Sequence, residues 1–380
     1  MAHGFHAEEL AAFREVARRF ACGSVRPSLS SSEFPFVPFA GELADEMESL
    51  GFFDILVPEK QGGLGQSLHA LHTIVEEIAT VDGSSAFLAF SQAFGRYLLA
   101  TFSQNPHHTL YVQSRHEHRA LIATALLHQP EDAGEYLRAT PVSGGYRLDG
   151  AIDSMVCLPV ASTALVPAVL GDGLEDALFL LDLRTDGVQV GEPLLGLGLR
   201  GCPLADLRIS ARVDSSTRLA HPDAMNHYRM AIDRFRLAAA SISLGILRGS
   251  YQEALAYAHD RHQGKRPIIH HDMVRELLSG MASWIDVGSA ALAHTTQKLE
   301  SGQPVEASQT ISVQELVTHA VARATTDGVQ VLGGYGYMKD NGQERRMRDA
   351  KQLQSILGSS PMRRMEVMVR RLDRADSIPS

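Results

Sequence analysis

The spacing of apolar residues changes period twice along this 380-residue chain, and that double change narrows the possible folds more than any other feature. From Glu8 to about Ser103 apolar side chains return every three or four positions, as in Leu10, Phe13, Val16 and Phe20, and again in Leu68, Leu71, Ile74, Val75 and Ile78. That spacing builds amphipathic helices. Turn-forming clusters at Arg26-Pro27-Ser28 and from Val57 to Gly65 punctuate it. Between about Ala120 and His221 the apolar runs shorten to Tyr146–Gly150, Ala164–Leu170 and Ala177–Leu183, separated by Gly and Asp. These read as strands of an antiparallel sheet or small barrel, with Pro167 pushing its own segment toward an edge or a bulge. From Met225 helical spacing returns and is broken at Gly264–Pro267 and Ser301–Pro304, as in a bundle of long antiparallel helices. The expected fold class is α+β and multidomain: an N-terminal helical domain over 1–120, a central antiparallel β-barrel-like domain over 121–222 and a C-terminal four-helix bundle over 223–380.

Charge excludes one class of partner. A formal net charge of -9 argues against nucleic acid, because phosphate neutralisation needs clustered Lys and Arg. The one basic cluster, Arg345-Arg346 through Arg348 and on to Arg363-Arg364, is interleaved with apolar residues and reads as a solvated helix face or an intersubunit ion-pair surface. The opening residues run into acidic Glu8-Glu9 without the basic flank and apolar stretch of a signal peptide, and no run of ~18 apolar residues predicts a membrane span. Cys22, Cys157 and Cys202 are far apart and form no CxxC pair, which suits a cytoplasmic protein and neither a disulfide framework nor a zinc site. The pairs His107-His108 and His270-His271 are poor chelates, since adjacent residues on a helix point about 100° apart, so no metal is expected. His271 is assigned a packing role. Trp284, on a helical stripe with Met281 and Val287, is assigned to the core.

Three stretches are specific. Gly328–Tyr337 contains Gly333-Gly334-Tyr335-Gly336-Tyr337 and is followed by Arg348-Asp349-Ala350-Lys351; Val57–Gly65 and Leu197–Pro203 precede it in the chain. Together, in order and at that spacing, they resemble the acyl-CoA dehydrogenase family over almost the whole chain. Gly333-Gly334 lies in a helical segment, without the strand and helix of a Rossmann fingerprint, so a nicotinamide site is disfavoured. The resemblance implies an FAD flavoprotein acting on an acyl-CoA or acyl-carrier-protein thioester. In such chemistry a base takes the α-proton while the β-hydrogen leaves as hydride to the flavin.

The resemblance also assigns residues. The family's glutamate base falls on Leu357, within Ser355-Ile356-Leu357-Gly358-Ser359-Ser360, so the base position is vacant. Some relatives carry the base immediately before an arginine on the first C-terminal helix; Arg236 matches that arginine, and Phe235 precedes it. Asp233 points roughly 200° away from that position on a helix, so a solvated helix-face carboxylate is the preferred reading and a substitute base the alternative. Of the elements that hold the flavin ring, Thr124 is retained, and Met155-Val156-Cys157 stands where relatives have an aromatic and a hydroxyl residue. Of the elements that the family donates to a neighbouring subunit's cofactor, Arg261, Gln330, Gly333 and Gly334 are retained, while Gly264 and Lys265 depart from the pattern. Tyr335, Gly336 and Tyr337 are assigned to the substrate pocket. A homo-oligomer, or a heteromer with a related sister chain, follows from a shared cofactor site. Three readings stay open: a flavoprotein with altered thioester chemistry, a partner subunit lacking the base in a heteromeric acyl-CoA dehydrogenase, and a flavin monooxygenase on the same fold.

Overall fold

The computed structural model describes residues 2–29, 39–102, 121–127, 137–171, 175–219 and 224–376. Among the described residues the longer N-terminal helices, α1 (Ala2–Phe20), α2 (Gly41–Ser49), α3 (Leu68–Ala79) and α4 (Gly83–Thr101), precede seven strands. Helix α4 starts where the Asp82 carboxylate accepts hydrogen bonds from the Ser85 amide at 2.8 Å and its hydroxyl at 2.7 Å, an N-cap that satisfies an otherwise orphaned donor. Almost every residue of α4 is buried, as its near-continuous apolar sequence demands. Its few polar side chains are therefore paired. Arg96 meets Asp54 at 2.7 Å and Glu48 at 2.8 Å, and Gln92 bonds both the amide and the carbonyl of Ile122, tying α4 to the first strand.

The strands are β1 (Ile122–Thr124), β2 (Leu137–Val142), β3 (Gly145–Val156), β4 (Thr163–Leu170), β5 (Glu175–Asp182), β6 (Val188–Val190) and β7 (Leu204–Asp214). The sheet is mixed, which corrects the expectation of an antiparallel one. β1 and β2 lie end to end in one lane, antiparallel to β3 and parallel to β4, because β4 follows the β2–β3 hairpin and enters on the far side of β2. β5 and β6 are the outer strands. Pro167 is neither at an edge nor in a bulge. It sits in β4 between the residues paired with β1 and those paired with β2, where a missing N–H forfeits no ladder bond on that side. Inward residues of β2 to β5 and β7, among them Leu148, Ile152, Val166, Phe179 and Leu207, share one core, so the sheet curls around its own interior.

Helices return with α5 (Ala224–Asp260), α6 (Asp272–Glu300), α7 (Ala307–Leu332), α8 (Gln343–Leu353) and α9 (Ser360–Asp376). Between α5 and α6, β8 (His262–Gln263) and β9 (Arg266–Pro267) form a hairpin whose two turn residues, Gly264 and Lys265, both have positive φ (61° and 70°), the backbone of a two-residue turn that matches strand twist. The buried stripe of α6 runs through Leu278, Met281, Ile285, Gly288 and Leu292. Trp284 and Val287 flank that stripe and are 38% and 53% exposed, which corrects the assignment of Trp284 to the core. Among the described residues no helix is long and apolar enough to cross a membrane.

The basic cluster is also reassigned. Arg363 is fully buried and bonds Glu315 at 2.9 Å, Arg348 bonds Glu344 at 2.6 Å, and Arg346 pairs with Glu253, so these cations are neutralised within the chain. The loop Leu197–Gly201 docks on them: Arg348 donates to the Leu197 carbonyl at 3.1 Å, Asp349 accepts from the Leu199 amide at 2.6 Å, and a Cβ on Gly198 would lie 2.4 Å from the Arg348 carbonyl oxygen. The Asp349 carboxyl is pushed up to about 7, first by burial and then by nearby Asp82.

Candidate functional site

The sequence-assigned residues gather in two places. The first is the junction of sheet and C-terminal helices around Leu357. This leucine is 1% exposed and has a left-handed backbone, φ 56°. Such a conformation costs a non-glycine residue on the order of 1–2 kcal/mol, so the surroundings must hold it. They do so with three side chains and one strand end. The Leu357 amide donates to the Leu126 carbonyl at 2.7 Å, and its own carbonyl accepts from Arg236 at 2.8 Å. The Ile356 carbonyl accepts from Gln314 at 2.8 Å and Arg363 at 3.0 Å, and Arg363 also takes the Gly358 carbonyl. Three consecutive carbonyls are thus fixed by buried donors.

Arg236, 1% exposed, spends its remaining donors on Gln314 at 3.1 Å and Glu366 at 3.0 Å. Asp233 lies 3.5 Å from Arg236 and 3.4 Å from Arg370. Burial raises its carboxyl above the usual range, with the two arginines opposing. It is therefore a half-buried ion-pair partner on the α9 side, which corrects its reading as a solvated carboxylate. Phe235, in the alternative base position, is fully buried with its ring 5.5 Å from Phe90, 5.1 Å from Phe94 and 5.8 Å from Tyr97. Neither base position presents a proton acceptor.

Thr124 and Cys157 belong to this same junction, since Thr124 is the strand partner of Val156. Both are buried, and the Thr124 hydroxyl oxygen has no hydrogen-bond partner among the described residues, a costly arrangement that a ligand atom would relieve. Cys157, with φ 61°, has its sulfur 3.6 Å from the Ser91 hydroxyl and 3.5 Å from the Cys202 sulfur. Sequence spacing gave no sign of that last contact.

The second place is an open cleft of about 810 Å³ at the far end of α5 and α7, within the range of small-molecule and cofactor sites. Arg261, Gln330, Gly333, Gly334 and Tyr335 all line it. The Arg261 guanidinium lies over the Tyr335 ring, 5.7 Å from its centroid, and Tyr257 packs beside that ring at 6.1 Å. Gly333, with φ 59° and ψ −133°, ends α7 in a conformation open essentially to glycine alone. A Cβ on Gly333 or Gly334 would meet nothing within 4 Å, so neither glycine is required by packing inside this chain; both leave bare backbone facing the cleft. That suits close approach of a polyanionic ligand, with Arg261 as its cation. Of the proposed substrate residues only Tyr335 lines the cleft. Gly336 is buried, and Tyr337 is 80% exposed. His271 lines the cleft as well and donates from Nε2 to the Gln263 carbonyl at 3.1 Å, so it braces the hairpin. His107 and His108 lie outside the described residues, and among those described no group of three or more His, Cys, Asp or Glu is placed to hold a metal.

Known proteins match this arrangement over nearly its full length. Family models for the N-terminal and C-terminal domains of acyl-CoA dehydrogenase match residues 7–107 and 225–372. The cyclohexane-1-carbonyl-CoA dehydrogenase of Geobacter metallireducens is 28% identical, over 95% of this chain and 96% of its own. Butyryl-CoA dehydrogenase from Megasphaera elsdenii superposes with a TM-score of 0.85 at 22% identity, covering 96% of this chain and 98% of that one. The prolyl acyl carrier protein oxidase AnaB superposes with the same TM-score at 16% identity, covering 95% and 98%. The chain belongs to the acyl-CoA dehydrogenase family.

Proposed function

We propose that this chain is an FAD-binding subunit for an acyl-CoA or acyl-carrier-protein thioester whose own base position is silent, so that α-proton abstraction depends on a glutamate-bearing sister chain. The observation that carries this reading is the contrast at Leu357: its loop is held by Arg236, Gln314 and Arg363 in a strained backbone, yet the side chain it places there cannot accept a proton. FAD would supply the hydride acceptor. Arg261 and the bare backbone at Gly333 and Gly334 would bind its phosphate end in the open cleft, for a neighbouring subunit, and Thr124 and Cys157 would orient its ring end. Arg236 positions the 356–358 loop and transfers no proton.

The competing homo-oligomeric flavoprotein with altered thioester chemistry shares these residues but needs no sister. The dehydrogenase-like Gly333–Tyr337 and Arg348–Lys351 segments favour both over a monooxygenase. Purifying the chain alone and with a base-bearing relative from its own genome separates them. The reading predicts an oligomer by size exclusion and flavin that stays oxidised with butyryl-CoA until the sister chain is added. Rapid bleaching by the isolated chain would overturn it.

A further inference from the structure

Two of the three cysteines, remote in sequence, meet in space. Cys157 closes β3 and Cys202 lies in the turn that opens β7; Val156 pairs with Leu204 and the Cys157 amide donates to the Pro203 carbonyl at 2.8 Å, so both backbones are pinned side by side. Their sulfurs are 3.5 Å apart, and both residues are buried. A disulfide needs ~2.05 Å, an approach of about 1.5 Å that χ1 rotation and small backbone shifts provide. Cys202 lines a second cleft of about 890 Å³ between the 193–204 loop and residues Ser24, Ser28 and 39–46, with Val160 and Leu199. Cys202 therefore borders that cleft, with Cys157 directly behind it, so a small oxidant reaches the pair from the Cys202 side. Cys22, by contrast, is exposed.

We propose that Cys157 and Cys202 form a reversible intramolecular disulfide under peroxide-class oxidants, an oxidation site at the edge of the Thr124 junction. One of the two sulfurs, as thiolate, attacks one peroxide oxygen and releases hydroxide, becoming a sulfenic acid. The other sulfur then displaces the hydroxyl, which leaves as water with that thiol's proton. Two thiols have lost two electrons and hydrogen peroxide has gained them. The hydrogen bond from Cys202 holds the Cys157 thiol below its ordinary range against the opposing effect of burial, with help from Ser91 and Gln92, while Cys202 is raised and keeps its proton.

The test uses the full-length protein, treated with hydrogen peroxide, quenched, unfolded in an alkylating reagent and digested without reductant. The proposal predicts a cross-linked peptide pair containing Cys157 and Cys202, loss of two of the three alkylatable thiols, and recovery of both with dithiothreitol. Cys22→Ser should leave this unchanged, and Cys157→Ser should leave Cys202 alkylatable after the same treatment. Wild-type protein in which Cys22 is consumed while Cys157 and Cys202 stay alkylatable would overturn the proposal, because the pair would then be a packed thiol contact only. Cross-links running only between chains through Cys22 would overturn it equally. The wild-type digest decides the matter even where a serine variant fails to fold.

Discussion

The two places where the residues assigned from sequence gather differ in one physical respect. Around Leu357 everything is closed: leucine, Phe235, Thr124 and Cys157 are buried, and the backbone is clamped by internal donors. Around Gly333 the cleft is open, and a Cβ on Gly333 or Gly334 would meet nothing within 4 Å. A closed region can keep its architecture for stability alone. In the open one, Gly333 is fixed by the backbone that ends α7, whereas Gly334 has neither a positive φ nor a neighbour that a Cβ would meet. The difference teaches that changes in the closed region act through stability, while changes in the open one act on whatever the cleft binds.

That contrast predicts which mutations cost stability and which cost only binding. Removing the cation at the centre of the closed region should be the most damaging change. Arg236→Met leaves Glu366 with Arg370 alone and frees the Leu357 carbonyl, and should destabilise by about 2–4 kcal/mol in denaturant unfolding. A loss under about 1 kcal/mol would mean that the clamp does not hold the loop.

Next in size is a pH effect. Asp349, which anchors the 197–201 loop to the closed region, has a carboxyl raised to about 7 against an unfolded value near 4. The protonated form is the one the fold favours, so its contribution is fully present below pH ~4 and is lost as pH rises through about 7. Asp349→Asn keeps an acceptor for the Leu199 amide and removes the titration. Thermal unfolding from pH 5 to pH 8 should therefore decline less in the variant, with a difference on the order of 2–4 kcal/mol in slope-integrated stability. Parallel curves for the two proteins would place the titration elsewhere.

The open region should behave in the opposite way. Arg261→Ala removes an exposed side chain whose only ring contact is Tyr335 and should change stability by less than about 0.5 kcal/mol, yet lower FAD retained after gel filtration several-fold. Smallest of all, Tyr337→Ala should leave both stability and retained FAD within error, since this residue is 80% exposed and does not line the cleft.

Much of this was legible in the sequence because it rests on local chemistry. The helix and strand regions follow from apolar period, and the hairpin break from Gly264 to Pro267 follows from residues that favour a turn. Arg261, Gln330 and Gly333 could be assigned from motif alone. Contacts between distant segments could not. The clamp from Gln314 and Arg363 on the 356–358 carbonyls joins α7 and α9 to a loop through groups that every residue carries, so it leaves no motif. The Cys157–Cys202 contact depends on the register of β3 against β7, and the parallel lane of β1 and β2 on how β4 enters the sheet. Trp284 misled because a stripe read at three-residue steps drifts across a helix face, whereas the buried stripe of α6 alternates steps of three and four.

The claim that ties the two regions together is that Leu357 alone silences a base position whose surroundings are otherwise built. Rapid mixing of butyryl- or octanoyl-CoA with FAD-loaded wild type and Leu357→Glu, followed through loss of flavin absorbance, tests it directly once both proteins are shown to hold equal cofactor. General-base assistance contributes ~10²–10⁴-fold, so the account predicts a nearly silent wild type and a variant faster by that order. Wild-type protein that bleaches as fast as the variant would contradict it.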